Sequence, residues 1–216
     1  MRLETISLQY AGSRVPGEDL FSHSGRIRST NVTITYALVR DEHERRLRSD
    51  FVSLTDEASL AGLMELPTDD LGPVPRRFRR MVGRTWIDDV VAVVVEDVDG
   101  TPWATRLLAV PTRPVEVEIH AKRWREGVNA AHHWNGFASR VLQFDALSDG
   151  ELAIAMTEVG YYGIGLKVGP AGASRTLVGP SPFQPRLFTA ARWSFAETVY
   201  DQFRQLTAGW LSPRSR

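Results

Sequence analysis

The chain contains no cysteine, which removes disulfides, thiolate catalysis, thiolate-held zinc and iron–sulfur ligation from what it can do by itself. Lysine is nearly absent too: of 26 cationic residues only Lys122 and Lys167 are lysines. That skew to arginine is compositional and says little about mechanism. Neither charge sign is in excess, since 26 acidic residues balance the 26 basic ones, so nothing draws the whole chain to nucleic acid or anionic lipid. No apolar run approaches the 18 residues of a membrane span. The opening MRLETISLQYAGSR places polar and charged residues where a secretory leader needs an apolar core. The expectation is a cytoplasmic protein without a membrane role.

What is present suits a globular fold. With 216 residues the chain is long enough for a self-sufficient core, and we expect a single α+β domain over 1–216. A subdomain division is possible in the loop 67–75, where Pro67, Pro73, Pro75 and Gly72 cluster. Strands are expected at Leu3–Gln9 and at Asn31–Val39, with a loop between them. The run RDEHERRLRSD at 40–50 reads as a solvated helix or hairpin tip. Thr55 offers a cap for a short helix ending near Leu66. Val90–Val95 and Trp103–Val110, joined by Asp99-Gly100, read as a hairpin. PVEVEIH at 114–120 alternates as a half-exposed strand with Val115, Val117 and Ile119 inward.

Further along, Asn129 is expected to cap a helix over 130–147, and ELAIAMTEV, from Glu151, to begin a last set of strands. Gly160, Tyr161, Tyr162, Gly163 and Gly165 then form an aromatic corner between strands. LKVGPAGASRTLVG reads as strand, turn and strand, and Thr189 as the cap of an amphipathic helix to Thr207. Together these predict an α+β fold, a largely antiparallel twisted sheet packed on one side by the two longer helices at 130–147 and 190–207.

Several constellations carry chemistry. Asp97-Val98-Asp99-Gly100-Thr101 after a valine run resembles the first motif of haloacid-dehalogenase-type phosphatases. The resemblance implies Asp97 as nucleophile and Asp99 as general acid. It covers five residues, and the segment after it reads as a returning strand where that family has a helix. His120, His132 and His133 with Glu116, Glu118, Asp88 and Asp89 offer imidazole and carboxylate ligands, but adjacent histidines on a helix diverge by about a hundred degrees and no metal is assigned. If the protein is an enzyme, Asp88, Asp89, Glu116, Glu118, His120 and Lys122 are the residues that would serve a metal-dependent hydrolase or nuclease. The usual Glu-x-Lys spacing is missing, because His120 follows Glu118 by two.

Arg76, Arg77, Arg79, Arg80 and Arg84, interrupted by Phe78, form the densest local charge. Guanidinium forks suit carboxylate or phosphate, Phe78 could stack on a base, and Glu65, Asp69, Asp70, Asp88 and Asp89 are internal acids that could pair with the run. No phosphate-binding glycine fingerprint and no Gly-x-Ser-x-Gly elbow occurs. The order strand, turn, strand and long helix near the end is similar, in topology alone, to type VII secretion chaperones. The leading expectation is a non-catalytic adaptor, chaperone or complex subunit that meets a protein partner, or a second copy of itself, through the Arg run and the Tyr161/Tyr162 corner. Nucleic acid is the second choice of partner, and no cofactor is implied.

Overall fold

The computed structural model describes residues 4–12, 19–27, 30–86, 89–96, 99–170, 172–184 and 187–211. Contacts gather them into two compact units, Met1–Leu38 with Arg113–Arg186, and Val39–Thr112 with Leu187–Arg216. The loop 67–75 runs inside the second unit. The class is α+β, with two sheets.

The first unit is built on a seven-stranded sheet in the order β1-β2-β3-β7-β8-β9-β10. Strands β1 (Glu4–Gly12), β2 (Leu20–Ile27) and β3 (Thr30–Leu38) make an antiparallel meander. β2 lies where a loop was expected, because LFSHSGRI lacks the β-branched run that marks a strand and owes its conformation to pairing on both edges. β7 (Thr112–His120), β8 (Ser139–Phe144) and β9 (Gly165–Val168) run parallel, and β10 (Arg175–Val178) returns antiparallel to β9. Antiparallel pairs predominate among the described residues, but the middle of this sheet is parallel. Its strands are joined by helical crossovers, as parallel neighbours require.

Those crossovers correct two expectations. The helix foreseen at 130–147 is α3, Trp124–His132, which gives way through a turn holding Gly136 to β8. Val141, Leu142 and Phe144 are buried strand residues, and a short apolar run does not separate a buried strand from a helix. Conversely, the strand foreseen from Glu151 is the helix α4, Asp149–Tyr162. Its start carries a complete capping box. Glu151 N donates to Ser148 Oγ and Ser148 N donates to the Glu151 carboxylate, so Asp149-Gly150 opens the helix and breaks nothing. Its end is a Schellman closure. Ile164 N donates to Val159 O at 2.9 Å and Gly163 N to Gly160 O at 3.4 Å, with Gly163 at φ +63°. The expected glycine-tyrosine corner is therefore the end of a helix.

Both helices pack on one face of the sheet. A Cβ at Gly127 of α3 would stand 3.1 Å from Phe144 and 3.3 Å from Leu142, and Arg140 donates to Tyr162 O at the end of α4. Val32, Ile34, Val117, Ile119, Leu142, Phe144 and Leu166 fill that face. Alternation sends Thr33, Glu116, Glu118, His120, Gln143 and Lys167 of the same strands the other way, together with the buried Val141.

The second unit holds α1 (Arg40–Arg48), α2 (Glu57–Met64), a three-stranded antiparallel sheet β4-β6-β5 (Gly72–Pro73, Pro102–Arg106, Ala92–Glu96) and α5 (Ala190–Leu211). The β5/β6 hairpin forms as expected, with Gly100 at φ +71° in its turn. Asp97 and Val98 lie outside the described residues, but a strand follows them, so the helix that a phosphatase motif needs is absent there. The cap of α2 is Asp56, one residue past the expected Thr55, and accepts from Ser59 N at 2.8 Å. Thr189 caps α5, taking Arg192 N at 3.3 Å. Trp193, Ala196, Val199, Tyr200 and Phe203 of α5 are buried, as the stripe predicted.

The charged run at 40–50 is the helix α1, yet it is only partly solvated. Glu42 and Arg46 are buried, one turn apart on the same face. Arg46 forks onto Glu197 with two contacts of 2.7 Å, reaches Glu42 at 2.6 Å and donates to Val52 O and Ala109 O. Glu197 also takes Trp193 Nε1 at 2.9 Å and Leu54 N at 3.1 Å. Burial alone would lower the Arg46 pKa, but the hydrogen bonds and charges of Glu197 and Glu42 outweigh it and hold the guanidinium above its ordinary value. Every charge in this set is paired, which is the condition for keeping an ion pair inside a fold.

Candidate functional site

On the first unit, alternation along β7 sends Glu116, Glu118 and His120 to the polar face of the sheet while Val117 and Ile119 enter the core. Register then sets His120 beside Gln143 of β8, and Gln143 beside Lys167 of β9. Lys167 reaches back across β8. Its Nζ donates to Glu118 Oε2 and stands 3.7 Å from Glu116 Oε1. His120 Nε2 is 3.0 Å from Thr33 Oγ1 and 3.4 Å from Glu118 Oε1. Thr33 continues to Ser24 at 2.8 Å. The result is a half-buried polar chain over four strands.

The expected carboxylates therefore do meet a lysine, but the lysine is Lys167; Lys122 is exposed beyond the end of β7. Asp89 belongs to the second unit, and Asp88 lies outside the described residues. His133 Nδ1 binds Asn129 O, and the His132 ring lies edge-on to Tyr162. Among the described residues no group of three or more His, Asp or Glu side chains stands in position to hold a metal ion.

Chemically the cluster is self-satisfied. One ammonium bridges two carboxylates. Both partners of His120 address the same nitrogen, Nε2, whereas a relay that passes a proton from hydroxyl to carboxylate uses the two ring nitrogens separately.

On the second unit, Arg76–Met81 forms a 3₁₀ helix. Three residues per turn eclipse i and i+3, giving three ridges: Arg76 with Arg79, Arg77 with Arg80, and Phe78 with Met81. The apolar ridge faces inward. Phe78 is 8% exposed and packs in the core with Trp86, Leu60 and Leu63; their rings stand 6.3 Å apart. The contact is close enough that a Cβ on Gly62 would sit 2.6 Å from Trp86 and 2.8 Å from Phe78. Arg77 lies over the Phe78 ring at 4.9 Å and pairs with Glu65. Met81 O then accepts from Arg84 N, Thr85 N and Trp86 N, closing the turn that brings Arg84 to the surface.

Arg76, Arg79, Arg80 and Arg84 are all exposed and have no hydrogen-bond or ion-pair partner among the described residues. Among the described residues, internal neutralisation thus accounts for Arg77 alone. The sequence gives Phe78 the role of a stacking ring; in the structure it is the pin that fixes the arginines, and its core ridge would have been visible had the run been read with a period of three.

Tyr161 is 84% exposed at the end of α4, edge-on to Tyr162 at 5.0 Å. Among the described residues no helix is long and apolar enough to cross a membrane. Comparisons with protein-family models, with curated proteins and with solved structures each returned no match.

Proposed function

We propose that the protein is a non-catalytic interaction protein whose second unit docks an acidic protein surface through Arg76, Arg79, Arg80 and Arg84. One observation carries this reading: four exposed guanidinium groups without carboxylate partners among the described residues, displayed on a short backbone pinned by a buried ring. Ordering a long side chain at an interface costs about 0.5–1.5 kcal/mol; a fixed backbone limits that cost to the side chains. The internally paired cluster around Lys167, where one ammonium holds both carboxylates, supports a binding role over a hydrolytic one. Burial of Phe78 takes away the aromatic platform that single-stranded nucleic acid favours, which leaves carboxylate recognition ahead of base stacking.

The test compares poly-glutamate with a mixed-sequence oligonucleotide, both as fluorescent probes of the full chain. Poly-glutamate is expected to bind with an affinity that falls steeply as salt rises. Replacing Arg76, Arg79 and Arg80 together by glutamate should abolish the binding while the circular dichroism stays unchanged. Tighter binding of the oligonucleotide, or glutamate binding that survives the triple replacement, would sink the proposal.

A further inference from the structure

Helix α4 is apolar on more sides than its own unit covers. Only Ala155 and Val159 are buried, while Ile154 is 61% exposed, Met156 46% and Tyr161 84%. A helix that carries apolar residues around most of its circumference is ordinarily buried on more than one side; this excess is also what makes ELAIAMTEV look like a strand. Ile154 and Tyr161, seven residues apart, share one stripe about 10 Å long at 1.5 Å per residue. Met156, two positions from Ile154, lies on the opposite flank.

The stripe borders a groove of about 890 Å³ between α3 and α4, lined by Trp124, Val128 and Ile154 among others and bridged where Trp124 Nε1 donates to Glu158 at 2.9 Å. Charge divides along it. Helix α4 carries Asp149, Glu151 and Glu158 and no basic residue. The start of α3 carries exposed Arg123 and Arg125, of which only Arg123 has a carboxylate partner among the described residues, Glu126 at 3.5 Å.

An acidic apolar helix beside a basic helix start is self-complementary. Under a two-fold axis the acidic helix of one copy meets the basic end of the other, and the apolar stripe is covered twice over. We infer that the α3/α4 face is a dimer interface, occupied by a second copy of this chain, with Ile154 and Tyr161 at its centre and Arg125 opposite the partner's α4. This is independent of docking through the arginine turn, which lies in the other unit.

Sedimentation velocity of the full chain, loaded over roughly 1 to 100 µM as suits an interface at the weak end of the standard range, reads the result. A concentration-dependent dimer is expected. Ile154→Asp and Tyr161→Asp should each weaken it by about tenfold or more, Arg125→Glu should weaken it as well, and Met156→Asp should leave it unchanged. Ile154 and Met156 are both exposed on the same helix, so unfolding would affect the two aspartates alike; circular dichroism confirms that each variant is folded. A chain that stays monomeric throughout, a dimer that survives Ile154→Asp, or one that Met156→Asp dissolves equally would overturn the inference, and binding of this face to some other protein by a monomeric chain would do the same.

Discussion

Acidification should destabilise the first unit through one side chain, His23. It sits on β2 with 1% of its surface exposed, neither ring nitrogen has a hydrogen-bond partner among the described residues, and the Tyr36 ring lies 5.3 Å away. Burial holds the imidazole neutral and pushes its pKa down from 6.5 to about 4. Below pH 6.5 the unfolded chain takes up a proton that the folded chain refuses. The stability tied to neutral His23 is therefore complete above 6.5, declines as pH falls, and is exhausted below about 4. At 1.36 kcal/mol per pH unit the whole effect is about 3 kcal/mol, with about 2 kcal/mol already lost at pH 5. His23→Leu removes both the proton and the two unsatisfied nitrogens. It should be more stable than the parent at pH 7.5, by about 1 kcal/mol, and that advantage should widen as pH falls to 4. Urea titrations of parent and variant at pH 7.5, 6 and 5 give the difference, in which the other titrating groups cancel. Histidine NMR reads the pKa directly. An imidazole titrating near 6.5, or equal pH dependence in parent and variant, would refute the reasoning.

The buried pair in the second unit makes a different demand on stability. Arg46→Met, which leaves the buried Glu197 carboxylate without its cation, should cost about 3–5 kcal/mol; Glu197→Gln, after which Arg46 keeps Glu42 at 2.6 Å, should cost less, and Arg46→Met with Glu197→Leu should cost clearly less than the sum of the two single changes, read from urea midpoints. Gly163→Ala should cost about 1–2 kcal/mol from its left-handed backbone, and a further steric part, because a Cβ there would stand 2.7 Å from Ser181 Oγ and 3.0 Å from Ser181 Cβ; adding Ser181→Ala should recover the share due to Oγ and leave the backbone cost.

Elements with their own local signal were legible in the sequence. The β5/β6 and β9/β10 hairpins have turn glycines and β-branched flanks, and α5 has both a cap and a stripe. α4 had its signal in Ser148 and Glu151, which the apolar density of the following residues masked. β2 had none, since only its neighbours make it a strand. The polar cluster was half legible. Alternation along β7 placed Glu116, Glu118 and His120 on one face, but the cation that joins them comes from β9, 49 residues beyond Glu118, and a parallel crossover leaves no mark in spacing. The division into two units was equally hidden, because each is assembled from segments that are discontinuous in the chain.

Two charge-dense runs illustrate why composition alone does not separate a folding role from a binding role. In RDEHERRLRSD acids are interleaved with arginines, and a period of 3.6 puts Glu42 and Arg46 on one face. That face turns inward and meets Glu197, 151 residues away, so its charges are used up inside the fold. In RRFRRM no acid is interleaved, and a period of three puts the only apolar ridge inward and every arginine outward. The first run can be buried because it brings part of its own neutralisation; the second cannot, so folding leaves its charge on the surface. What decides between the two is the helical period together with the acids inside the run, and both are present in the sequence once the local geometry is known.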